Sequence, residues 1–304
     1  MAKIGGVEQA LRFTTDDGLR LVGQMDGAGS GPLVVLLHGG GQTRHAWNET
    51  SARLAGEGFD VVRYDARGHG DSDWAPDHDY RMQTHARDLI GVMGALGRPA
   101  ALVGASMGGV AALIATAAAP ALVCALALVD IVPRFAAGGV ERIRTFMTAH
   151  PGGFATLEEA TAAVRAYNPH RPPPKNPQGL LRSLRERNGR LHWHWDPAVV
   201  GAPPDETLAA MLSERLAALS PTLPLLLVTG AQSDVVDLEA IATFRRQAPQ
   251  AETIAVARAG HMVAGDRNDA FGDAISGFLM RSAPGALTPP APRRTPSSGR
   301  SGRS

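Results

Sequence analysis

The segment Gly104-Ala105-Ser106-Met107-Gly108 has the spacing G-x-S-x-G. Glycines at those positions let a chain turn sharply from a strand into a helix and leave the serine hydroxyl exposed above a sheet. A serine that opens a helix can also be a simple N-cap. Here the apolar run Ala101-Leu102-Val103 precedes it and a small-residue helical pattern follows, which is the setting a nucleophile requires. A hydroxyl attacks a carbonyl only when a base takes its proton, and a histidine base needs a carboxylate to fix its tautomer and stabilise its cation. Downstream, Asp234 stands in TGAQSDVV after the apolar run LPLLLV, and His261 stands in AGHMV after TIAVA. The order is therefore Ser, Asp, His, each at the end of a strand pattern, with Asp234 expected to orient His261. The backbone N–H of Met107, next to the serine, is placed to receive the developing oxyanion.

The elements that must carry these residues alternate in kind. Leu11 to Met25 reads as an edge hairpin around Asp17-Gly18, followed by strand patterns at Leu33–Leu37 and Asp60–Tyr64 with a helix between them. A helix over Met82–Leu96 stops at Gly97, and the strand Ala100 to Gly104, the helix from Ser106 and the strand from Leu122 to Val132 continue the alternation. The pattern resumes with a strand near Leu223, a helix near Leu238, a strand near Thr253 and a final helix over Asn268 to Met280. This predicts an α/β fold: a mostly parallel, doubly wound sheet with helices on both faces. Residues 133–221 break the alternation with helical segments only, so they read as a helical cap inserted in a core formed by 1–132 and 222–281. Residues 282–304, rich in Pro, Ser and Arg, read as a disordered basic tail.

Composition narrows the class further. Thirty basic residues face 29 acidic ones, so no net charge points to nucleic acid or an anionic membrane as partner. Four of the basic residues and none of the acids lie in the tail, which leaves the body mildly acidic. The lone cysteine, Cys124, excludes an internal disulfide framework and a cysteine-rich zinc site. His78 and His85 lack metal-ligand spacing, and no H-E-x-x-H pattern occurs, so no metal is expected. Neither a signal-peptide pattern nor an apolar run of membrane-spanning length is present, and a cytoplasmic protein is expected, one compatible with self-association into a homo-oligomer.

Taken together, HGGG at His38, YDARGHGDS at Tyr64, GASMGG at Gly104, SDVV at Ser233 and GHM at Gly260 resemble the α/β-hydrolase fold superfamily, over Phe13 to Met280. Within it the chain is most similar to capped serine esterases and cofactor-free haloperoxidases. The resemblance implies Gly40, with Gly41 as neighbour, as the second oxyanion donor beside Met107. It also implies that Asp130, after the strand LALVD, is the alternative acid, since some members use that position. Asp65 and Arg67 are expected to brace their loop. The cap lies over the serine in this fold, so Trp193, Trp195 and Phe146 are the expected substrate contacts, with Met147 and Leu208 to Leu219 adding an apolar lining.

The expectation is a cofactor-free serine hydrolase acting on small carboxylic esters. Perhydrolase or haloperoxidase chemistry and carbon-carbon bond hydrolysis are served by the same residues. A non-catalytic receptor for a small ligand is the alternative of another class. A dehalogenase or epoxide hydrolase would need an aspartate at position 106.

Overall fold

A computed structural model describes residues 9–169, 177–201, 206–261 and 268–282. The strands are β1 (Gln9–Thr14), β2 (Arg20–Asp26), β3 (Leu33–Leu37), β4 (Asp60–Tyr64), β5 (Ala100–Ala105), β6 (Val123–Val129), β7 (Leu184–Arg187), β8 (Arg190–Trp193), β9 (Leu225–Gly230) and β10 (Glu252–Val256). Eight of them form one sheet in the order β1-β2-β4-β3-β5-β6-β9-β10, while β7 and β8 pair separately. From β4 to β10 the neighbours are parallel; β1 and β2 join as an antiparallel edge hairpin. A parallel strand covered on both faces must be apolar on both, and all five residues of β3 are buried.

The helices are α1 (Asn48–Gly56), α2 (Met82–Leu96), α3 (Met107–Ala118), α4 (Ala137–Thr148), α5 (Leu157–Tyr167), α6 (Glu206–Ala217), α7 (Leu238–Gln247) and α8 (Asn268–Ser282). On one face of the sheet Val34, Leu36, Ala101 and Val103 pack with Leu54 of α1 and Phe271, Ile275 and Phe278 of α8. On the other, Val35, Leu37, Leu102 and Leu128 pack with Leu89 and Met93 of α2, Leu113 of α3 and Phe244 of α7. The doubly wound reading is thus the observed architecture.

Two features of the inserted region differ from expectation. Leu184–Arg187 and Arg190–Trp193 form a hairpin where only helices were expected. Its turn residues Asn188 (φ 53°) and Gly189 (φ 72°) both have positive φ, the backbone that Asn-Gly favours in a two-residue turn matched to strand twist. In addition, α6 is not part of a cap: Leu212 and Leu216 are buried in the same cluster as Leu113 and Leu126, so α6 belongs to the helix layer on the sheet. The cap proper consists of α4, α5 and the hairpin, with its own cluster around Phe154, Leu184, Trp193 and Trp195. Residues 171–176, in the proline-rich segment, and 283–304, in the tail, lie outside the described residues.

If α6 is a core helix, Leu216→Ala leaves a cavity under the sheet and costs about 2–5 kcal/mol. Urea unfolding should then show a lower midpoint at unchanged slope; an unchanged midpoint would return α6 to the cap.

Candidate active site

Ser106 sits between β5 and α3 with φ 46° and ψ −117°, a backbone that a non-glycine residue adopts only when its surroundings force it. Its N–H donates to Val129 O at 3.1 Å. The flanking glycines are required by space. A methyl group at Gly104 would lie 2.6 Å from Gly108 O, and one at Gly108 would lie 2.6 Å from Leu37 O. The tight turn therefore brings β3, β5 and α3 together, with Ser106 partly accessible on top. Met107 is the first residue of α3, so its N–H lies outside the helix ladder.

His261 Nδ1 lies 2.7 Å from Asp130 Oδ2. Asp130 follows β6 directly, is fully buried, and has φ 51°. Its other partners are Gly230 N–H, donating to Oδ1 at 3.0 Å, and Ser233 Oγ, donating to Oδ2 at 2.5 Å. The loop carrying His261 is pressed against the end of β9, since a methyl group at Gly230 would come within 2.2 Å of Gly260 O.

The expected role of Asp234 is corrected by this geometry. Its carboxylate faces away to α4, where Arg142 donates through Nε at 2.6 Å and Nη2 at 2.9 Å. Burial opposes its ionisation, but the Arg142 guanidinium prevails and holds the carboxyl below the usual range. Arg142 also donates to Tyr167 O at 3.1 Å and lies over the Tyr167 ring at 4.8 Å. Asp234 therefore fastens the cap to the core. The signal favouring Asp130 is its place immediately after a fully apolar strand. Asp234 stands four residues beyond β9 and is free to turn outward.

The HGGG segment forms a turn in which Gln42 N–H donates to Gly39 O at 3.1 Å and Gln42 Oε1 accepts from Gly39 N–H at 3.0 Å. A methyl group at Gly39 would touch Ser106 Cβ at 3.5 Å, so this turn lies against the serine. The N–H of Gly41 is taken by His69 Nε2 at 3.2 Å. That leaves Gly40, and not its neighbour, as the glycine whose N–H suits an oxyanion.

Asp65 and Arg67 do brace their loop, though not with each other. Buried Asp65 pairs with Arg44 and accepts from Asp71 N–H at 2.9 Å. Fully buried Arg67 makes a bidentate pair with Asp88 at 2.6 and 2.7 Å and reaches Asp17 at 2.9 Å. Such fork geometry suits arginine.

In the cap, Trp193 and Trp195 stack at 4.9 Å with their planes 10° apart, and Phe146 lies 5.5 and 6.5 Å from them. Trp193 is a cap-core residue, flanked by Phe154 at 5.1 Å, which corrects its reading as a substrate contact. Phe146 stacks on Tyr167 at 4.3 Å. Trp195 and Met147 reach the HGGG turn: a methyl group at Gly41 would meet Met147 Sδ at 3.4 Å and Trp195 Cζ3 at 3.5 Å. Leu212, Leu216 and Leu219 line no part of this region, being buried under the sheet.

The family model described as alpha/beta hydrolase family matches residues 34–274. The chain is 32% identical over 263 residues to esterase Rv0045c of Mycobacterium tuberculosis, covering 83% of this chain and 84% of that one. The chain belongs to the alpha/beta hydrolase family. It is also 31% identical over 271 residues to the mouse sn-1-specific diacylglycerol lipase ABHD11, covering 84% of this chain and 83% of that one. Among solved structures, an alpha/beta hydrolase from Novosphingobium aromaticivorans superposes with a TM-score of 0.77 at 27% identity, covering 91% of this chain and 99% of the other. The Rv0045c esterase structure gives 0.71 at 28%, covering 90% and 92%. With an esterase and a lipase among these relatives, the chain is a hydrolase of this family. Among the described residues no helix is long and apolar enough to cross a membrane.

Two outcomes follow from the site. Asp130→Asn, which offers His261 Nδ1 the wrong partner, should lower hydrolytic kcat by about 10³- to 10⁴-fold. Asp234→Asn should stay within about tenfold of the unmodified protein, and the reverse ranking in steady-state assays would restore Asp234. Separately, burial pushes His85 and His194 down to about 3. A histidine depressed by burial binds its proton more readily in the unfolded chain, so stability is retained above pH 6.5 and lost as pH falls below it. Between pH 7 and 5 each of the two should cost about 2 kcal/mol, visible as a falling Tm; a flat profile would contradict their burial as neutral rings.

Proposed function

We propose that this protein is a serine hydrolase of carboxylic esters, working through an acyl-enzyme without a cofactor. The observation that carries the reading is a strained, partly accessible Ser106 tied through its N–H to the last residue of β6, Val129, beside a histidine, His261, whose Nδ1 is held at 2.7 Å by the buried carboxylate of Asp130, the next residue along the chain. A serine and an imidazole so placed suit acyl transfer.

In this reading Ser106 Oγ attacks the ester carbonyl carbon while His261 Nε2 takes its proton. Asp130 keeps the imidazole in the Nδ1–H tautomer and stabilises the imidazolium. The carbonyl π electrons move onto oxygen, where the N–H groups of Gly40 and Met107 hold the resulting oxyanion. As the tetrahedral species collapses, the C–O bond to the alcohol breaks and His261 returns the proton to the leaving oxygen. Water then attacks the acyl carbon with His261 again as base, releasing the acid and Ser106. Met147 and Trp195 above the HGGG turn suit an apolar acyl or alkyl group of modest size. The names of the M. tuberculosis esterase and the mouse lipase support the ester class.

Hydrolysis of p-nitrophenyl esters from acetate to decanoate by the unmodified protein and by Ser106→Ala checks the reading. Turnover should peak at short to medium acyl length and fall by at least about 10³-fold in the variant. A folded protein with no turnover on any ester, or a variant as active as its parent, would refute it.

A further inference from the structure

The HGGG turn is held by three buried histidines with fully assigned roles. His38 Nε2 accepts from Ala66 N–H at 2.9 Å, and its Nδ1–H donates to Gly39 O at 2.8 Å. His69 Nε2 accepts from Gly41 N–H, and its Nδ1–H donates to Arg67 O at 3.0 Å. His194 Nδ1 accepts from Gly70 N–H at 2.7 Å, and its Nε2–H donates to Gly41 O at 3.3 Å. Each ring uses one nitrogen as acceptor and the other as donor, which only the neutral form can do. The His69 ring lies between the other two, at 5.2 Å from His38 and 5.9 Å from His194.

Of the three, His194 alone comes from the cap. It follows β8 directly, its N–H donates to Ser183 O at 3.1 Å, and its ring stands edge-on to Trp195 at 5.2 Å. The hairpin that delivers it is clamped to the 65–74 loop by Arg185 on Asp71 at 2.6 Å and by Arg187 over the Trp74 ring at 5.0 Å. Peptide groups are rigid and planar, so fixing one end orients the other. His194 fixes Gly41 O. The same peptide carries Gln42 N–H, which donates to Gly39 O. That carbonyl, which also accepts from His38 Nδ1–H, belongs to the peptide whose opposite end is Gly40 N–H, so the Gln42 bond and the His38 bond together set its aim.

We propose that His194 is a positioning residue for the oxyanion donor: through two successive peptide groups it makes the aim of Gly40 N–H depend on a seated cap. This rests on the serine hydrolase reading above. The cap then contributes to turnover as well as to substrate recognition, because an open cap withdraws Nε2–H from Gly41 O.

Replacement of one nitrogen at a time tests it. Glutamine places its amide nitrogen near the former Nε2, whereas asparagine reaches only the Nδ1 position. His194→Ala should lower kcat by about 10- to 100-fold on a p-nitrophenyl ester with KM within about threefold, the size expected of a misplaced group. His194→Gln should recover most of kcat, and His194→Asn should resemble the alanine variant. Amide hydrogen exchange supplies a readout independent of ester chemistry: Gln42 N–H should lose protection in the Ala and Asn variants and keep it in the Gln variant. A raised KM at unchanged kcat, equal Gln and Asn variants, or unaltered Gln42 protection in the Asn variant would overturn the proposal. If His194→Ala does not fold, the Gln and Asn pair carries the comparison. Failure of the serine reading shows separately, as undiminished turnover by Ser106→Ala, and leaves the exchange result at Gln42 standing or falling on its own.

Discussion

A carboxylate removed from water must find donors, and Asp130 shows what that requirement builds. It is fully buried at the end of β6 in a left-handed backbone conformation. An ionised carboxyl there is tolerable only because Gly230 N–H, Ser233 Oγ–H and His261 Nδ1–H converge on it. Those three donors come from the end of β9, the turn after it and the loop after β10. Satisfying one charge therefore joins three separate connections at the carboxyl edge of the sheet. Ser106 is tied to the same place through its N–H on Val129 O.

The opposite side of the site is governed by neutral polar groups. Burial pushes His69 and His194 down and keeps them uncharged, so each ring presents one acceptor and one donor to backbone groups of the 39–42 and 65–72 loops. Arg44, Arg67 and their carboxylate partners hold the second of those loops. Electrostatic catalysis needs donors that are already aimed before charge develops. In the proposed acyl transfer, a turn whose peptides are bonded on both sides meets that need at little cost in reorganisation. The price appears elsewhere, as strained φ values at Ser106 and Asp130 and as glycines that no side chain can replace.

Much of this was legible in the residues. Apolar runs such as LVVLL in β3 and LLLV in β9 define strands because both faces are covered, and Gly97 ends α2 in the left-handed conformation that its spacing implied. The positions of Ser106 at a sharp strand-to-helix turn and of His261 after a strand were legible because both leave local marks. The carboxylate that pairs with His261 was not. Asp130 and Asp234 both follow strands; Asp130 stands directly after β6 and Asp234 four residues beyond β9, and that difference in spacing points the right way but becomes decisive only with Arg142 seen to hold Asp234 from the cap. The hairpin at Asn188-Gly189 carried a readable turn signal, but its strands are only four residues each and rich in arginine, and the alternation in Arg190–Trp193 has no counterpart in Leu184–Arg187. Placement of α6 on the sheet and of His194 on the HGGG turn depends on contacts between distant segments, which no local pattern encodes.

The central claim is that Asp130, and not Asp234, holds the proton-bearing Nδ1 of His261. The most direct measurement is the downfield proton NMR signal of a histidine Nδ1–H shared with a carboxylate, recorded with the unmodified protein, Asp130→Asn and Asp234→Asn. The account predicts a signal that is kept in Asp234→Asn and lost in Asp130→Asn. A signal that disappears with Asp234 and survives the change at Asp130 would contradict it.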